Sequence, residues 1–291
     1  MVKIRKVVIP VAGKGTRFLP ATKAQPKEML TIVDKPIIQI ITEEALRCGL
    51  TEFIFITGPG KESIEKHFIK DAHLEDFLSS KNKYEELEIV RQISTMGNMT
   101  YVTQEEPLGL GHAVLCAESA VADEPFLLML GDLVFEEGSD ALKTLLDTFT
   151  RLDRSVIAVE EVRPEDIGRY GIVNGPSIDH IPGDSWLINT LIEKPKVDHA
   201  PSNWGITGRY ALKPEIFQHL KNIKRGHGGE FQITDALVHL AENGTLVACP
   251  SNGIHFDTGN KIDYIKANIE FALKHPEIGP KISEYLKHLK I

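Results

Sequence analysis

The 291-residue sequence has few cysteines and no pattern that groups them. Its three cysteines, Cys48, Cys116 and Cys249, are far apart, and no Cys-x-x-Cys occurs. A disulfide framework and a zinc ribbon both need paired or closely spaced cysteines, so neither organises this chain. Because Cys48 and Cys116 stand in apolar helical patterns, we interpret them as core thiols.

Long apolar runs and basic stripes are also missing. No run reaches the roughly 18 apolar residues of a membrane span, and the apolar run after the first charges is only one strand long, which does not make a signal peptide. The net charge is −8 with basic residues dispersed among acids, which argues against nucleic acid as a partner. We predict a cytoplasmic protein that binds neither membrane nor nucleic acid. Small anionic substrates stay possible, because a few local cations suffice for them.

Strand and helix patterns alternate through the first half of the chain. Short apolar runs predict strands at Val7–Val11, Phe53–Thr57, Tyr101–Gln104, Phe126–Leu130 and Ser155–Val159. Helical spacing lies between them at Pro36–Cys48, Lys61–Phe68, Gly111–Ala120 and Ala141–Phe149, with a peripheral helix and loop at 75–97. This order predicts an α/β, Rossmann-like fold with a mostly parallel central sheet and helices on both faces. The loops at 12–28, 105–112 and 131–138 should then share one side, beyond the carboxyl ends of the strands.

The pattern changes from about residue 160, where Gly, Pro and Asn become frequent. Strands near 170–173, 186–192 and 206–212 predict a mixed or antiparallel extension that covers the sheet. Helices are predicted at Pro214–Leu220, Thr234–Glu242, Ile262–Lys274 and Lys281–Lys290. Since no linker or repeat occurs, we predict a single domain, 1–291, with a first part at 1–160, a second at 161–260 and C-terminal helices at 261–291.

A glycine loop follows the first strand. Gly13 and Gly15 let backbone N–H groups approach a phosphate or a base edge. The dinucleotide fingerprint needs a third glycine at position 18, and the P-loop pattern is absent, so this Gly-x-Gly alone is equally compatible with a tight turn. Arg17, Lys23 and Lys27 follow in a loop that two prolines stiffen. These cations suit phosphate binding, and a solvated basic loop is the simpler alternative.

The full segment resembles a known signature. Gly13-x-Gly15-Thr-Arg17…Pro20-x-Thr-Lys23-x-x-Pro26-Lys27-Glu28-Met29-Leu30 is similar to the motif of sugar-1-phosphate nucleotidylyltransferases, especially the bacterial UTP–glucose-1-phosphate uridylyltransferases. The stretch Leu108-Gly109-Leu110-Gly111-His112 matches as well, and the likeness thins only at 75–97 and after about 275. The resemblance implies a nucleotidyltransferase that makes UDP-glucose and pyrophosphate from UTP and glucose 1-phosphate. It further implies Mg²⁺ as cofactor and a homodimer or homotetramer.

The resemblance also implies roles for individual residues. Nucleotide binding falls to Ala12, Gly13, Gly15, Thr16, Glu28, Gln104, Gly109 and Gly111, and Gln104, whose amide can donate and accept, would read uracil. Catalysis by charge falls to Arg17, Lys27 and Lys194. Sugar binding, in a second part that the resemblance makes a sugar-binding extension, falls to Gly171, Glu193, Lys194 and Thr207. His112 is interpreted as a structural residue of the first helical turn, and Glu-Lys-Pro at 193–195 would alone be a common surface tripeptide.

Two aspartates are the predicted metal ligands. Asp132 ends an apolar strand, and Asp257 lies in a segment that resembles the late Asp-x-Gly-Asn-Lys motif of the family. Mg²⁺ takes one or two carboxylates together with phosphate oxygens and waters. The alternative for Asp257 is a helix cap near Ile262.

Two departures from the family pattern keep other functions open. Gly131 stands where the uridylyltransferases commonly have proline, and Thr207-Gly208 is similar to the thymidylyltransferase relatives. The alternatives are a glucose-1-phosphate thymidylyltransferase and a non-catalytic regulatory protein that binds UDP-sugars. A glycosyltransferase is disfavoured, because Asp132-Leu133-Val134 lacks the second aspartate of an Asp-x-Asp metal site.

The predicted reaction is a single in-line displacement at the α-phosphorus of UTP. A phosphate monoester with a second pKa near ~6 is mostly dianionic at neutral pH, so the attacking oxygen needs no general base. The sequence shows no evident Ser-His-Asp or Cys-His arrangement, which agrees with this mechanism.

Overall fold

The computed structural model describes residues 3–176 and 184–289. The strands are β1 Lys6–Pro10, β2 Thr31–Ile32, β3 Lys35–Pro36, β4 Glu52–Thr57, β5 Asn98–Thr103, β6 Phe126–Met129, β7 Leu133–Phe135, β8 Ser155–Glu161, β9 Gly171–Val173, β10 Trp186–Leu187, β11 Leu191–Glu193, β12 Trp204–Leu212, β13 Leu246–Pro250 and β14 His255–Asp257. The helices are α1 Ile37–Arg47, α2 Glu62–Phe68, α3 Ala72–Ser80, α4 Tyr84–Ser94, α5 Leu110–Cys116, α6 Glu118–Val121, α7 Ala141–Leu152, α8 Ile216–Leu220, α9 Ile233–Glu242, α10 Lys261–Lys274 and α11 Gly279–His288.

A large mixed sheet forms the centre of the molecule. Its main path runs β10-β13-β8-β12-β6-β1-β4-β5, and β9 joins β12 and pairs with β11. The pairs β6–β1, β1–β4, β4–β5 and β13–β8 are parallel, whereas β12 is antiparallel to both of its neighbours, β6 and β8. The Rossmann-like α/β fold is confirmed. The antiparallel part does more than cover the sheet, because β12 is built into its middle.

Both faces of this sheet are buried under helices. In β1, Val7 and Ile9 pack into one apolar cluster with residues of α1 and α7, while Val8 packs into another with residues of α5, α8 and α9. Alternate residues of a strand point to opposite faces, so a strand covered on both sides must be apolar throughout. This is why Val7, Val8 and Ile9, in the middle of β1, are all apolar.

Most predicted elements agree with the structure to within a few residues. The region 75–97 forms two helices, α3 and α4, and the helix predicted at Gly111–Ala120 is divided into α5 and α6. The strand predicted at 186–192 is interrupted, giving β10 and β11. Lys290, the predicted end of the last helix, lies outside the described residues. Strands β2, β3, β7, β13 and β14 were not predicted, and two of these, β7 and β14, shape the site.

Within the described ranges, every helix is too short or too polar to traverse a bilayer.

Candidate active site

A cavity of about 340 Å³ opens at the carboxyl ends of β1, β5 and β6. Its lining includes seven predicted residues, Ala12, Gly13, Lys27, Glu28, Gln104, Gly109 and Asp132. Six of them come from the three loops that sequence analysis placed on one side of the sheet, and Gln104 directly precedes the second of these loops. We call this space the nucleotide cavity, after the role that the resemblance implies for these residues.

The glycine loop folds back on itself to place Lys27 in this lining. Gly15 has φ +63°, and a Cβ atom there would lie 3.1 Å from Cβ of Lys27, so a glycine is needed at this turn. The Thr22 hydroxyl donates to the Gly15 carbonyl at 2.7 Å and holds the returning chain. Gly15 thus shapes the loop, and neither it nor Thr16 is in the lining of the cavity.

Lys27 forms a short ion pair with Asp132. The two atoms, Nζ of Lys27 and Oδ2 of Asp132, are 2.5 Å apart. Burial alone would raise the pKa of Asp132, but Lys27, with Arg17 further away, outweighs it and holds that pKa below its ordinary value. Burial likewise acts to lower the pKa of Lys27, and Asp132 and Glu28 reverse this and raise it. Both groups are therefore charged at neutral pH.

A second, more deeply buried pair lies behind the first. Nζ of Lys61 lies 2.7 Å from Oε2 of Glu28, and their side chains are 7% and 1% exposed. Burial raises the pKa of Glu28 and lowers the pKa of Lys61, because here the loss of water outweighs the mutual attraction of the charges. Lys61 was missed by sequence analysis, since a single lysine after a glycine turn carries no motif.

A second cavity, of about 280 Å³, adjoins the first. Its lining includes six predicted residues, Arg17, Asp132, Gly171, Glu193, Lys194 and Asp257. Asp132 lines both cavities, so they meet at this carboxylate. We call the second space the sugar cavity, after the role that the resemblance implies for Gly171, Glu193 and Lys194.

The β9–β11 pair builds the floor of the sugar cavity. Glu193 is opposite Gly171 in the ladder, and a Cβ atom at Gly171 would lie 3.2 Å from Oε2 of Glu193. The absence of a side chain at Gly171 therefore leaves room for this carboxylate to lie close over the strand. The hydroxyl of Thr234, from α9, donates to the same oxygen at 2.5 Å. Glu193 is held as an acceptor that faces the cavity.

Lys194 adopts a backbone conformation that side chains rarely take. Its φ is +44°, and its N–H donates to the Tyr170 carbonyl at 3.0 Å. A left-handed conformation costs a non-glycine residue about 1 kcal/mol or more, and such strain concentrates at functional sites. The side chain is 37% exposed, and its Nζ lies 3.2 Å from Oε1 of Glu193. The strained turn directs the ammonium group into the sugar cavity.

The two predicted metal ligands are brought together by a ladder that sequence analysis did not find. In the β7–β14 pair Asp257 is opposite Leu133, the residue after Asp132. The Thr258 N–H and hydroxyl both donate to the Asp132 carbonyl at 2.7 Å. A Cβ atom at Gly259 would lie 2.9 Å from Oδ1 of Asp257 and 3.0 Å from Oδ2 of Asp132, so both carboxylates flank this glycine.

The carboxylate oxygens around Gly259 fit a magnesium ion that also binds phosphate. No group of three or more His, Cys, Asp or Glu side chains in the described part of the chain converges on a metal position. Two carboxylates agree with Mg²⁺, which completes its shell with phosphate oxygens and waters. Cations balance both carboxylates here, Lys27 at Asp132 and Arg169 at Asp257, where the nitrogen lies 2.9 Å from Oδ2. Arg169 was not predicted.

A buried arginine supports the loop at residues 130–133 from below. Arg209 is 1% exposed and forms a bidentate pair with Glu44 of α1, with distances of 3.2 and 2.7 Å. It also donates to the carbonyls of Leu133, at 2.6 Å, and Leu130, at 3.4 Å. These carbonyls flank Gly131 and Asp132. Arg209 therefore fixes the main chain that carries Asp132, and sequence analysis missed it because its partners are distant in sequence.

Local packing determines the surroundings of three further residues from the sequence analysis, Gly111, Thr207 and Gly131. The Gly111 N–H donates to the Phe231 carbonyl at 2.8 Å, so it does not point at a ligand. The Thr207 hydroxyl is buried and has no partner among the described residues, and Thr207 is not in the lining of the sugar cavity. A Cβ atom at Gly131 would lie 2.9 Å from the Pro10 carbonyl, which explains why this chain has glycine there.

The fold and the paired cavities define a class of protein. A model of the family described as "Nucleotidyl transferase" matches residues 6–272, and the chain belongs to this family. It is a nucleotidyltransferase.

The chain is similar over nearly its whole length to particular members of this family. The chain is 46% identical over 285 residues to a UTP–glucose-1-phosphate uridylyltransferase of Bacillus subtilis, a match that covers 98% of this chain and 95% of the relative. A UTP-bound UGPase from Acinetobacter baumannii is 37% identical, with a TM-score of 0.88 and full coverage of both chains. A UDP-glucose pyrophosphorylase complexed with UDP-glucose is also 37% identical, with a TM-score of 0.84, and covers 94% of this chain and 100% of its own.

Proposed function

We propose that this protein transfers UMP from UTP to glucose 1-phosphate and releases UDP-glucose and pyrophosphate. The observation that carries the proposal is that the nucleotide cavity and the sugar cavity meet at Asp132. Two substrates bound side by side would place their phosphates together at this junction. Relatives named for this activity, and solved relatives bound to UTP and to UDP-glucose, support the choice of substrates.

The nucleotide would bind through main chain and a few side chains. The backbone of Ala12 and Gly13, with Gln104, would contact the uracil edge, and Glu28 lies in the same lining. In the sugar cavity, Glu193 would accept from hexose hydroxyls, and Gly171 would let the main chain approach the ring. Catalysis then begins from alignment of the two substrates.

The reaction is a displacement in line at the α-phosphorus. A phosphate oxygen of glucose 1-phosphate forms the new bond, the bond between the α-phosphorus and the bridging oxygen breaks, and pyrophosphate leaves with that electron pair. No proton must be removed from the dianionic nucleophile. Lys194 would steer the attacking phosphate, while Arg17 and Lys27 would neutralise the triphosphate and the leaving pyrophosphate.

Magnesium is part of the proposal. Asp132 and Asp257 would hold Mg²⁺, which when bound would neutralise phosphate charge between nucleotide and sugar phosphate. Lys27 and Arg169 would in turn stabilise these carboxylates. The cytoplasmic location and the homodimer or homotetramer stay predictions.

Pyrophosphate release tests the proposal. Purified protein is supplied with Mg²⁺ and glucose 1-phosphate, and with UTP or TTP in separate reactions; chelation of the metal and omission of the sugar phosphate are the controls. We expect release with UTP that needs both the metal and the sugar phosphate. Release mainly with TTP would favour a thymidylyltransferase, and tight UDP-glucose binding without any release would favour a regulatory protein.

A further inference from the structure

The side-chain amide of Gln104 is held in one orientation. Gln104 follows β5, is 4% exposed and lies in the lining of the nucleotide cavity. Its Nε2 donates to Nδ1 of His112 at 2.8 Å and to the Gly109 carbonyl at 3.2 Å. An amide nitrogen has two hydrogens, and both are used here.

The other end of this amide is free for a ligand. Within residues 3–176 and 184–289, Oε1 of Gln104 has no hydrogen-bond partner, although the side chain is almost wholly buried. Oε1 is not among the fully buried, unpartnered side-chain atoms of the described residues, so it is accessible, and a ligand in the cavity can donate to it. The nucleotide cavity therefore presents an acceptor, and no donor, from Gln104.

We propose that His112 is a positioning residue that makes the site select uracil over cytosine by fixing the Gln104 amide. This inference rests on the proposed function, since it concerns the base of the nucleotide substrate. Uracil carries a hydrogen on N3 and can donate it to Oε1 of Gln104. Cytosine has a lone pair on N3, which would face the same oxygen. Cytosine is rejected because its N3 lone pair and Oε1 of Gln104 would repel each other, and neither of these acceptors would have a donor.

His112 can do this only as one tautomer. Because Nε2 of Gln104 is a donor, Nδ1 of His112 must be the acceptor, and the ring proton lies on Nε2 of the imidazole. The ring is held in the first turn of α5, and its centroid lies 6.4 Å from that of Phe231. Thymine has the same N3–H, so His112 discriminates against cytosine and leaves UTP and TTP equivalent at this atom.

Selectivity measurements on two variants test the proposal. His112→Leu removes the acceptor, and His112→Asn restores one near the position of Nδ1. The dissociation constants of UTP and CTP are measured by calorimetry, and kcat/KM is measured for both nucleotides. We expect the preference for UTP over CTP to fall roughly five- to tenfold in His112→Leu, about the value of one hydrogen bond, and to return in large part in His112→Asn. His239→Leu, which changes a half-exposed histidine on α9, is the matched control.

Several outcomes would overturn the proposal. These are a wild type that binds CTP as well as UTP, an unchanged ratio in a folded His112→Leu, and an equal loss in the leucine and asparagine variants. Should His112→Leu fail to fold, ¹⁵N spectra of the wild type decide, because a proton on Nδ1 of His112 contradicts the assignment and a proton on Nε2 supports it. Binding ratios need no turnover, so a failure of the proposed reaction is distinguishable from a failure of this inference.

Discussion

The nucleotide cavity and the sugar cavity meet at Asp132 but are organised differently. Around the nucleotide cavity, polar side chains bind one another, in the pairs Lys27–Asp132, Lys61–Glu28 and Gln104–His112. Around the sugar cavity, the principal cation is exposed and stands on a strained turn at Lys194. The sugar cavity has side-chain pairs as well, Thr234–Glu193 and Arg169–Asp257, but its lysine is placed by main-chain conformation, whereas the lysines of the nucleotide cavity are placed by their ion pairs.

The difference follows from how each cavity is assembled. The nucleotide cavity uses the carboxyl ends of neighbouring, mostly parallel strands, where loops converge as a matter of topology. The sugar cavity uses short antiparallel strands, a bulge in β12 and the start of α9. Short strands make few contacts, so the shape of the sugar cavity depends more on single backbone positions such as Gly171 and Lys194.

The largest effect should come from Lys194. Lys194→Ala removes the cation that we propose steers the attacking phosphate, and we expect turnover to fall at least about a hundredfold with the fold intact. Lys194→Gly should be equally inactive yet more stable than the alanine variant by about 1 kcal/mol, because glycine relieves the strain at φ +44°. Steady-state kinetics and urea unfolding measure the two effects.

Lys83→Ala is the matched control, since Lys83 is half exposed and pairs with Glu86 on the surface. Near-normal turnover in Lys194→Ala would remove Lys194 from the mechanism. Equal stability of the alanine and glycine variants would mean that main-chain strain does not organise the sugar cavity.

The next effect concerns Arg209, beneath the loop that the two cavities share. Arg209→Met leaves Glu44 as a buried, unpaired carboxylate, and we expect a loss of about 3–5 kcal/mol in the free energy of unfolding. Replacing both residues by methionine should recover much of this stability. Activity should stay low, because the carbonyls of Leu130 and Leu133 still lack their donor. Urea unfolding measures the stability of both variants, and kcat measures their activity. A fully active double variant would contradict the prediction.

The smallest effect is the pH dependence of the Lys27–Asp132 pair at the junction. The folded-state pKa of Asp132 lies below its ordinary value of 3.8, so its contribution to stability is present above that value and is lost as the pH falls through the lower, folded-state pKa. Asp132→Asn should therefore be less stable than wild type at pH 7, with the difference shrinking towards pH ~3. Urea midpoints at both pH values measure it. Glu85→Gln, at an exposed carboxylate, controls for the change in net charge, and a difference that did not vary with pH would contradict the prediction.

Much of the fold was predictable because its signals are local. Buried faces are indicated by the apolar runs of β1, β4, β6 and β8 and by the spacing of apolar residues in α1. The predicted bounds of these elements agree with the structure to within a few residues. The missed strands β7 and β14 have three residues each, too few for a periodicity to be read. Strand β13 has an apolar run but was missed, because it lies in the part of the sequence where Gly, Pro and Asn are frequent.

The sequence by itself determined the α/β class, the loops that form the candidate site and part of the lining of the two cavities, because glycine turns, strand ends and clustered cations act over a few residues. Only the tertiary structure decided the pairings. That Asp257 lies opposite Leu133, that Arg209 reaches Glu44 and that His112 holds Gln104 depends on sheet register and burial. Such contacts join positions that are free in the unfolded chain, and their energies arise only once the core excludes water.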